Sequence, residues 1–169
     1  MALIGYSNKV TTDIYMKLLD NETISKLLYY NNELDEDVEN LPPLENPISD
    51  LKHKIFKNRR LERLQREADV GMTISVYSKS NWKKLGKSYD KSIENVIEVG
   101  VICHEECDDT LNGSRAYAIM DLVIKELSEF NIDGLGKIHF ASAYKTKDIP
   151  IEYSGYLLYF NIFSMREDI

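Results

Sequence analysis

A chain of 169 residues and 19.6 kDa, with 43% apolar and 29% charged residues, has the size and composition of one folded domain and excludes a wholly disordered chain. Its 21 basic and 28 acidic side chains give a net charge of −7, which argues against a protein that binds nucleic acid over its whole surface. Two cysteines are too few for a disulfide framework and indicate a reducing site of synthesis, and no apolar run is long enough to span a bilayer.

The N-terminal third of the chain predicts two helices followed by a long polar segment. Residues 1–10 lack the charged start and the apolar stretch of a signal peptide. Thr11 or Thr12 is the candidate N-cap of the first helix, and Asn21 is the candidate N-cap of a shorter second helix. The stretch 31–47 has neither helical nor strand periodicity, so we expect an extended arm or long loop there.

Two blocks of opposite charge follow one another within residues 31–66. The acidic segment, Glu33–Asp50, has seven acids and no base, whereas the basic block, Leu51–Arg66, has seven bases and one acid. Because these charges are complementary, we expect the acidic segment of one copy to approach the basic block of another, although the two could also fold back on each other within one chain. The candidate subunit-interface residues are Glu33, Asp35, Glu36, Asp37, Leu41, Leu44, Arg59, Arg60, Arg63 and Arg66.

The rest of the chain predicts strands around one helix. Residues 54–58 are a candidate short strand, and apolar patterns predict strands at residues 71–78, 93–104, 135–144 and 155–164. Residues 79–91 predict a polar connection. The best helix opens at Asn112 or Ser114 and has an apolar stripe that spans four turns. The stripe consists of Ala116, Ile119, Met120, Val123, Ile124, Leu127 and Phe130.

This order of elements predicts an α+β fold. We expect a small, mostly antiparallel sheet of about four strands, with one long helix and short N-terminal helices packed on one face. We expect a single domain over residues 1–169, with residues 31–66 as an extended arm or charged insertion within it.

The stretch 103–109, CHEECDD, combines two thiols, an imidazole and four carboxylates, and therefore raises the question of a metal or thiol site. Zinc sites need a second pair of ligands, and neither His53 nor His139 has a neighbouring ligand with suitable spacing. We instead expect Cys103 to be a buried residue at a strand end, because acidic neighbours raise rather than lower the pKa of a thiol. We find no phosphate-binding loop, nucleophile elbow or dinucleotide fingerprint. The sequence thus predicts no catalytic residue, no cofactor and no bound metal, with a metal enzyme built on this stretch as the weakest alternative.

Several different short stretches follow one another along the chain in a recognisable order. They are the helix end Leu27-Leu28-Tyr29-Tyr30, a proline-containing connection, a basic stretch, the strand VIEVGVICH at 96–104, the helix start SRAYAIM at 114–120, the turn and strand IDGLGKIHF at 132–140, and a final strand with Gly155-Tyr156. In this order, over roughly residues 12–164, the chain resembles the tail-terminator or tail-completion proteins of tailed bacteriophages, especially those that infect Gram-positive bacteria.

The resemblance implies a structural virion protein without catalysis or cofactor. Such proteins assemble as a ring, typically a hexamer, that caps the completed tail tube and joins the tail to the head. The implied partners are other copies of the chain, the tail tube protein and the head–tail connector proteins, while DNA passes through the lumen without specific binding and no membrane is involved. The implied location is the neck or tail end of the virion, after synthesis in the cytoplasm of the bacterial host. An acidic chain suits a ring through which DNA slides, because like charge prevents sticking.

Two alternatives stay open. Other neck components, such as head-closure or adaptor proteins, are of comparable size. A non-enzymatic, nucleic-acid-associated protein could use the basic block 51–66 to neutralise phosphates, although Phe56 is the one aromatic residue within that block.

Overall fold

The computed structural model describes residues 6–33, 35–58, 69–85, 88–147 and 149–163. Its helices are α1 (Tyr6–Leu19), α2 (Glu22–Tyr29), α3 (Pro47–Asp50), α4 (Glu105–Asp108) and α5 (Arg115–Leu127), with a 3₁₀ turn at Val38–Asn40. Its strands are β1 (Ile55–Lys57), β2 (Val70–Leu85), β3 (Ser88–His104), β4 (Asp109–Thr110), β5 (Gly113–Ser114), β6 (Asn131–Ile132), β7 (Gly136–Lys145) and β8 (Tyr153–Phe163). Among these described residues, no helix is both long and apolar enough to cross a membrane.

Six of the strands form one curled, mixed sheet in the order β1-β2-β3-β8-β7-β6, a half-barrel. Strand β1 is parallel to β2, and every other neighbouring pair in this sheet is antiparallel. Strands β4 and β5 form a separate two-stranded ribbon between α4 and α5.

The predicted fold of about four mostly antiparallel strands with one long helix is therefore wrong. The sheet has six strands because β1, the short strand predicted at 54–58, joins one edge and β6 joins the other. With two residues, β6 is too short to show a period of two in the sequence. There is also no single long helix, since α1 has 14 residues and α5 has 13.

Local signals at the helix ends explain where α1 and α2 lie. The side-chain oxygen of Asn21 accepts the N–H of Ile24 at 3.0 Å, which confirms Asn21 as the N-cap of α2. Helix α1 begins at Tyr6, well before the predicted caps at Thr11 and Thr12. The Thr11 hydroxyl instead donates to the Ser7 carbonyl one turn earlier, a hydrogen bond that lets threonine lie inside a helix.

Helices α1, α2 and α5 belong to one core cluster with the inner face of the sheet. Met72 and Ile74 of β2, Val99 and Val101 of β3, and Leu158 and Phe160 of β8 are all buried there. The stripe of α5 lies against them, and its Ala116, Ile119, Met120, Val123 and Leu127 are buried, as predicted. The order of these elements thus follows from one apolar helix face packing on alternate residues of the strands.

Strands β2 and β3 form a long hairpin that continues past the rest of the sheet. Their pairing runs without a bulge from Val70 and Cys103 to Leu85 and Ser88, whereas the pairing of β3 with β8 ends at Asn95. The predicted polar connection at 79–91 is therefore wrong for residues 79–85 and 88–91, which are strand. Their polar composition gives no alternation from which a strand could be predicted.

Candidate subunit interface

The acidic segment lies along α2 and the start of α5. The side-chain amide of Asn112 donates to the Asp37 carboxylate at 3.2 Å, and the Lys26 ammonium donates to the Glu39 carbonyl at 3.3 Å. Leu41 is only 6% exposed, and Leu44 packs against the core of its own chain. These contacts hold the segment against its own subunit, and six of its seven acids are exposed.

A groove of about 270 Å³ opens between this segment and the two helices. Leu27, Val38, Ala118 and Leu122 form its apolar part, and its acidic lining consists of Glu33, Glu36, Asp37 and Glu39. Glu33, Glu36 and Glu39 are exposed, and no acid of the segment forms an ion pair with another described residue. Within the part of the chain that the structure describes, the groove therefore presents acids without an ionic partner around an apolar floor.

Arg115 lies under this groove and donates hydrogen bonds to α4 and α2. The side chain is 1% exposed; Nε donates to the Cys107 carbonyl at 2.7 Å and Nη1 to the Leu27 carbonyl at 2.8 Å. Burial lowers the pKa of Arg115, and the acid Asp108 opposes that shift. Sequence reasoning missed this residue; the available signal was a charged residue at the first position of a helix whose stripe is apolar.

The first backbone N–H groups of α5 donate hydrogen bonds to side chains of the same chain. Ser114 is the N-cap and its hydroxyl oxygen accepts the N–H of Tyr117 at 3.3 Å, while the Asp108 carboxylate accepts the N–H of Ala116 at 2.8 Å. The predicted cap at Ser114 is confirmed. Because Asp108 occupies the positive end of the helix, that end is a wall of the groove rather than an anion site.

The basic block is described only in part. Arg59, Arg60, Arg63 and Arg66 lie outside the described residues. Lys57 lies with its Nζ 4.5 Å from the centroid of the Tyr15 ring, a cation–π contact. Burial lowers the pKa of Lys54, which lies near Asp69. The structure therefore brings Glu33, Glu36 and Asp37 together in the groove, and the pairing of the acidic segment with the basic block stays a prediction.

The CHEECDD stretch forms the end of β3 and the short helix α4. Cys103 and Cys107 are both buried free thiols, which confirms the prediction of a buried cysteine at a strand end. The His104 ring nitrogen Nδ1 accepts the N–H of Glu106 at 3.3 Å and thereby caps α4. Among the described residues no three His, Cys, Asp or Glu side chains converge on a metal position. The absence of a bound metal stays a prediction.

The two thiols should make stability depend on pH. Burial raises the pKa of Cys103, with a further contribution from Asp108, and burial also raises the pKa of Cys107. Unfolded thiols lose protons near pH 8.5, so above about pH 8.5 the unfolded chain binds fewer protons than the folded chain. We expect the free energy of unfolding to be unaffected by the thiols below about pH 8.5 and to fall above it, by up to about 1.4 kcal/mol per pH unit for each thiol.

Urea denaturation at several pH values between 7 and 10 measures this slope. A variant with Cys103→Val and Cys107→Ala lacks both thiols and is the matched control, because it should show a shallower decline. An equal slope in the two proteins would contradict the assignment to the thiols.

All residues that line the groove lie within the part of the chain that matches one protein-family model. The model of the YomW family matches residues 21–162. No curated protein matches the sequence significantly. Among solved structures, a chain from the virion of a native gene transfer agent particle is similar with a TM-score of 0.49 and 12% sequence identity, over 96% of this chain and 97% of that chain.

Proposed function

This chain belongs to the YomW family, a family of phage type, and from that premise we propose that it is a structural component of a phage virion. The observation that carries the proposal is the extent of the family match, residues 21–162, which includes the acidic segment, the sheet and α5. The role requires neither catalysis nor a cofactor.

Within the virion, the chain acts as a ring that caps the tail tube and joins the tail to the head connector. The order of short stretches that resembles tail-terminator proteins supports this finer role. The net charge of −7 also supports it, since a lumen of like charge lets DNA pass without binding. Its partners are other copies of itself, the tail tube protein and the connector proteins.

A ring needs heterologous contacts, in which one surface of a subunit meets a different surface of the next. The groove is the first of these surfaces, because its exposed acids have no ionic partner among the described residues. Ile48, which is 52% exposed, adds an apolar residue to the same segment. The basic block is the sequence-based candidate for the opposing surface.

Light scattering after size exclusion, together with negative-stain electron microscopy, tests the proposed function. We expect discrete rings that block the polymerisation of tail tube protein. A chain that stays monomeric at high concentration and leaves tube polymerisation unchanged would overturn the role. A salt-dependent shift of DNA by such a monomer would support the nucleic-acid alternative instead.

A further inference from the structure

One face of the six-stranded sheet lies away from the helices. Side chains alternate between the two faces of a strand, so Glu98 of β3 lies on the face opposite to the buried Val99. Tyr159 of β8 is paired with Glu98. Tyr77 of β2 lies two residues beyond Ser75, which is paired with Glu98 on its other side. Glu98 and the two tyrosines therefore share the outer face of the sheet.

A β-bulge brings a further tyrosine to this face. Ile138 of β7 is buried in the core, so the even-numbered residues of an unbroken strand would face inward. The register of β7 shifts by one residue between Phe140 and Ser142, and bulges commonly re-aim a side chain in this way. Tyr144 therefore lies on the outer face, where its ring centroid is 5.8 Å from that of Tyr159. We define the tyrosine face as four side chains: Tyr77, Glu98, Tyr144 and Tyr159.

The chain covers the other end of the same outer face with its own residues. Phe56 and Ile102 are buried there in a second, smaller cluster. Three partly buried residues pack against that cluster: Ile149, Tyr153 and Leu157. The tyrosine face lies outside it, since Tyr77 is 43% exposed and Tyr144 is 61% exposed. Adjacent exposed aromatic side chains mark an interaction site, whereas single exposed apolar residues do not.

The carboxylate of Glu98 lies among the phenol groups without a counter-ion in the described part of the chain. Glu98 is half-buried, and none of the ion pairs between described residues includes it. Burial raises the pKa of Tyr77 and raises that of Tyr159 to about 12, and in both cases the charge of Glu98 adds to the rise. The tyrosines are therefore neutral near pH 7, and the face carries the negative charge of one glutamate.

A guanidinium group matches this combination of one carboxylate and several phenol rings. It donates two parallel hydrogen bonds to a carboxylate and stacks its plane on aromatic rings, whereas an ammonium is a point charge that does neither. The face spans four neighbouring strands, β2, β3, β8 and β7, which gives it a width of about 14 Å at the usual strand spacing. Tyrosine and arginine are also enriched at the energetically important centres of protein–protein interfaces.

We propose that the tyrosine face binds arginine side chains of a neighbouring, different protein in the virion. The inference rests on the proposed function and names one contact surface of the ring. The acidic groove is lined by α2, α5 and the acidic segment, on the helix side of the sheet, so contacts between copies at the groove do not use the tyrosine face. The guanidinium lies against the tyrosine rings and donates to Glu98. Because this contact is partly electrostatic, it weakens with salt.

The binding of two short labelled peptides to the full chain, measured by fluorescence anisotropy, tests this contact. Both peptides have blocked ends and two positive charges, one with the sequence Arg-Gly-Arg and the other with Lys-Gly-Lys. We expect the arginine peptide to bind at least fivefold more tightly than the lysine peptide, because only arginine offers the planar fork. We expect Glu98→Gln and Tyr144→Ala each to weaken binding of the arginine peptide at least fivefold.

Two variants on the helix side of the molecule are the matched controls. Asp121→Asn removes an exposed carboxylate from α5, and Tyr117→Ala removes a tyrosine that is 55% exposed. Both should bind the arginine peptide as the parent does. Tyr144→Phe keeps the ring and should retain the affinity of the parent, which separates the loss of stacking in Tyr144→Ala from a change in folding.

Four outcomes decide the proposal. Equal affinity of the parent for the two peptides, or unchanged binding in both Glu98→Gln and Tyr144→Ala, would overturn it even if the parent forms rings that block tube polymerisation. A changed oligomeric state of Tyr144→Ala would overturn it in favour of a contact between copies. Tighter binding of single-stranded oligothymidylate than of the arginine peptide, lost in Tyr144→Ala, would overturn it in favour of base stacking. A parent that stays monomeric yet prefers the arginine peptide would overturn the ring and support the arginine contact.

Discussion

Replacing Leu127 by aspartate should abolish cooperative folding of this chain. Leu127 is fully buried in the core cluster, one turn after Val123 on the stripe of α5. Burial of an unpaired carboxylate costs several kcal/mol, and the lost packing of a large core side chain adds about 2–5 kcal/mol. Native domains have a free energy of unfolding of only about 5–15 kcal/mol, so the summed cost of this substitution is comparable to the whole stability of the fold.

Circular dichroism and urea denaturation measure this outcome. Leu111→Asp is the matched control, because Leu111 is 65% exposed in the turn between β4 and β5 and should tolerate the charge. A soluble Leu127→Asp variant with a cooperative transition would show that the stripe of α5 faces away from the sheet.

Replacing Arg115 by methionine should destabilise the chain by about 2–5 kcal/mol. The substitution keeps much of the side-chain volume but removes both donors to the buried carbonyls of Cys107 and Leu27. Each buried acceptor left without a donor costs about 1–3 kcal/mol. The loss is moderated because the desolvation cost of the guanidinium, which lowers the pKa of Arg115, also disappears.

The free energy of unfolding, from urea denaturation, decides between these effects. Lys125→Met, on the exposed face of the same helix, is the control and should change stability by less than about 0.5 kcal/mol. Arg115→Lys should recover only part of the loss, because an ammonium lacks the fork that reaches two carbonyls. A neutral or stabilising Arg115→Met would show that the two hydrogen bonds do not outweigh the cost of burying the charge.

Periodicity predicted the elements that touch the core. The stripe of α5 and the alternation in the central strands are dictated by one buried face, so they are visible in the sequence. Caps are equally local, which is why Asn21 and Ser114 were identified correctly. The burial of Cys103 followed from its place at the end of an apolar strand.

The sequence missed the features that depend on distant neighbours. Strand β6 exists because β7 pairs with it, and its two residues are too few to show a pattern. The sequence analysis made no prediction for Arg115, whose two acceptors lie in α2 and α4. Residues 79–91 were predicted as a polar connection, because their strand conformation depends on the pairing of β2 with β3 and not on an apolar pattern.

The sequence by itself determined the net charge, the two charge blocks, the helix caps at Asn21 and Ser114 and the apolar faces, because each depends on residue type and short spacing alone. Only the tertiary structure decided the order of the six strands, the closure of the acidic groove over Arg115 and the pairing of β2 with β3 through residues 79–85 and 88–94. The physical reason is that strand order, strand pairing and burial of a charge depend on contacts between residues far apart in the chain. Local preferences constrain such contacts without specifying them.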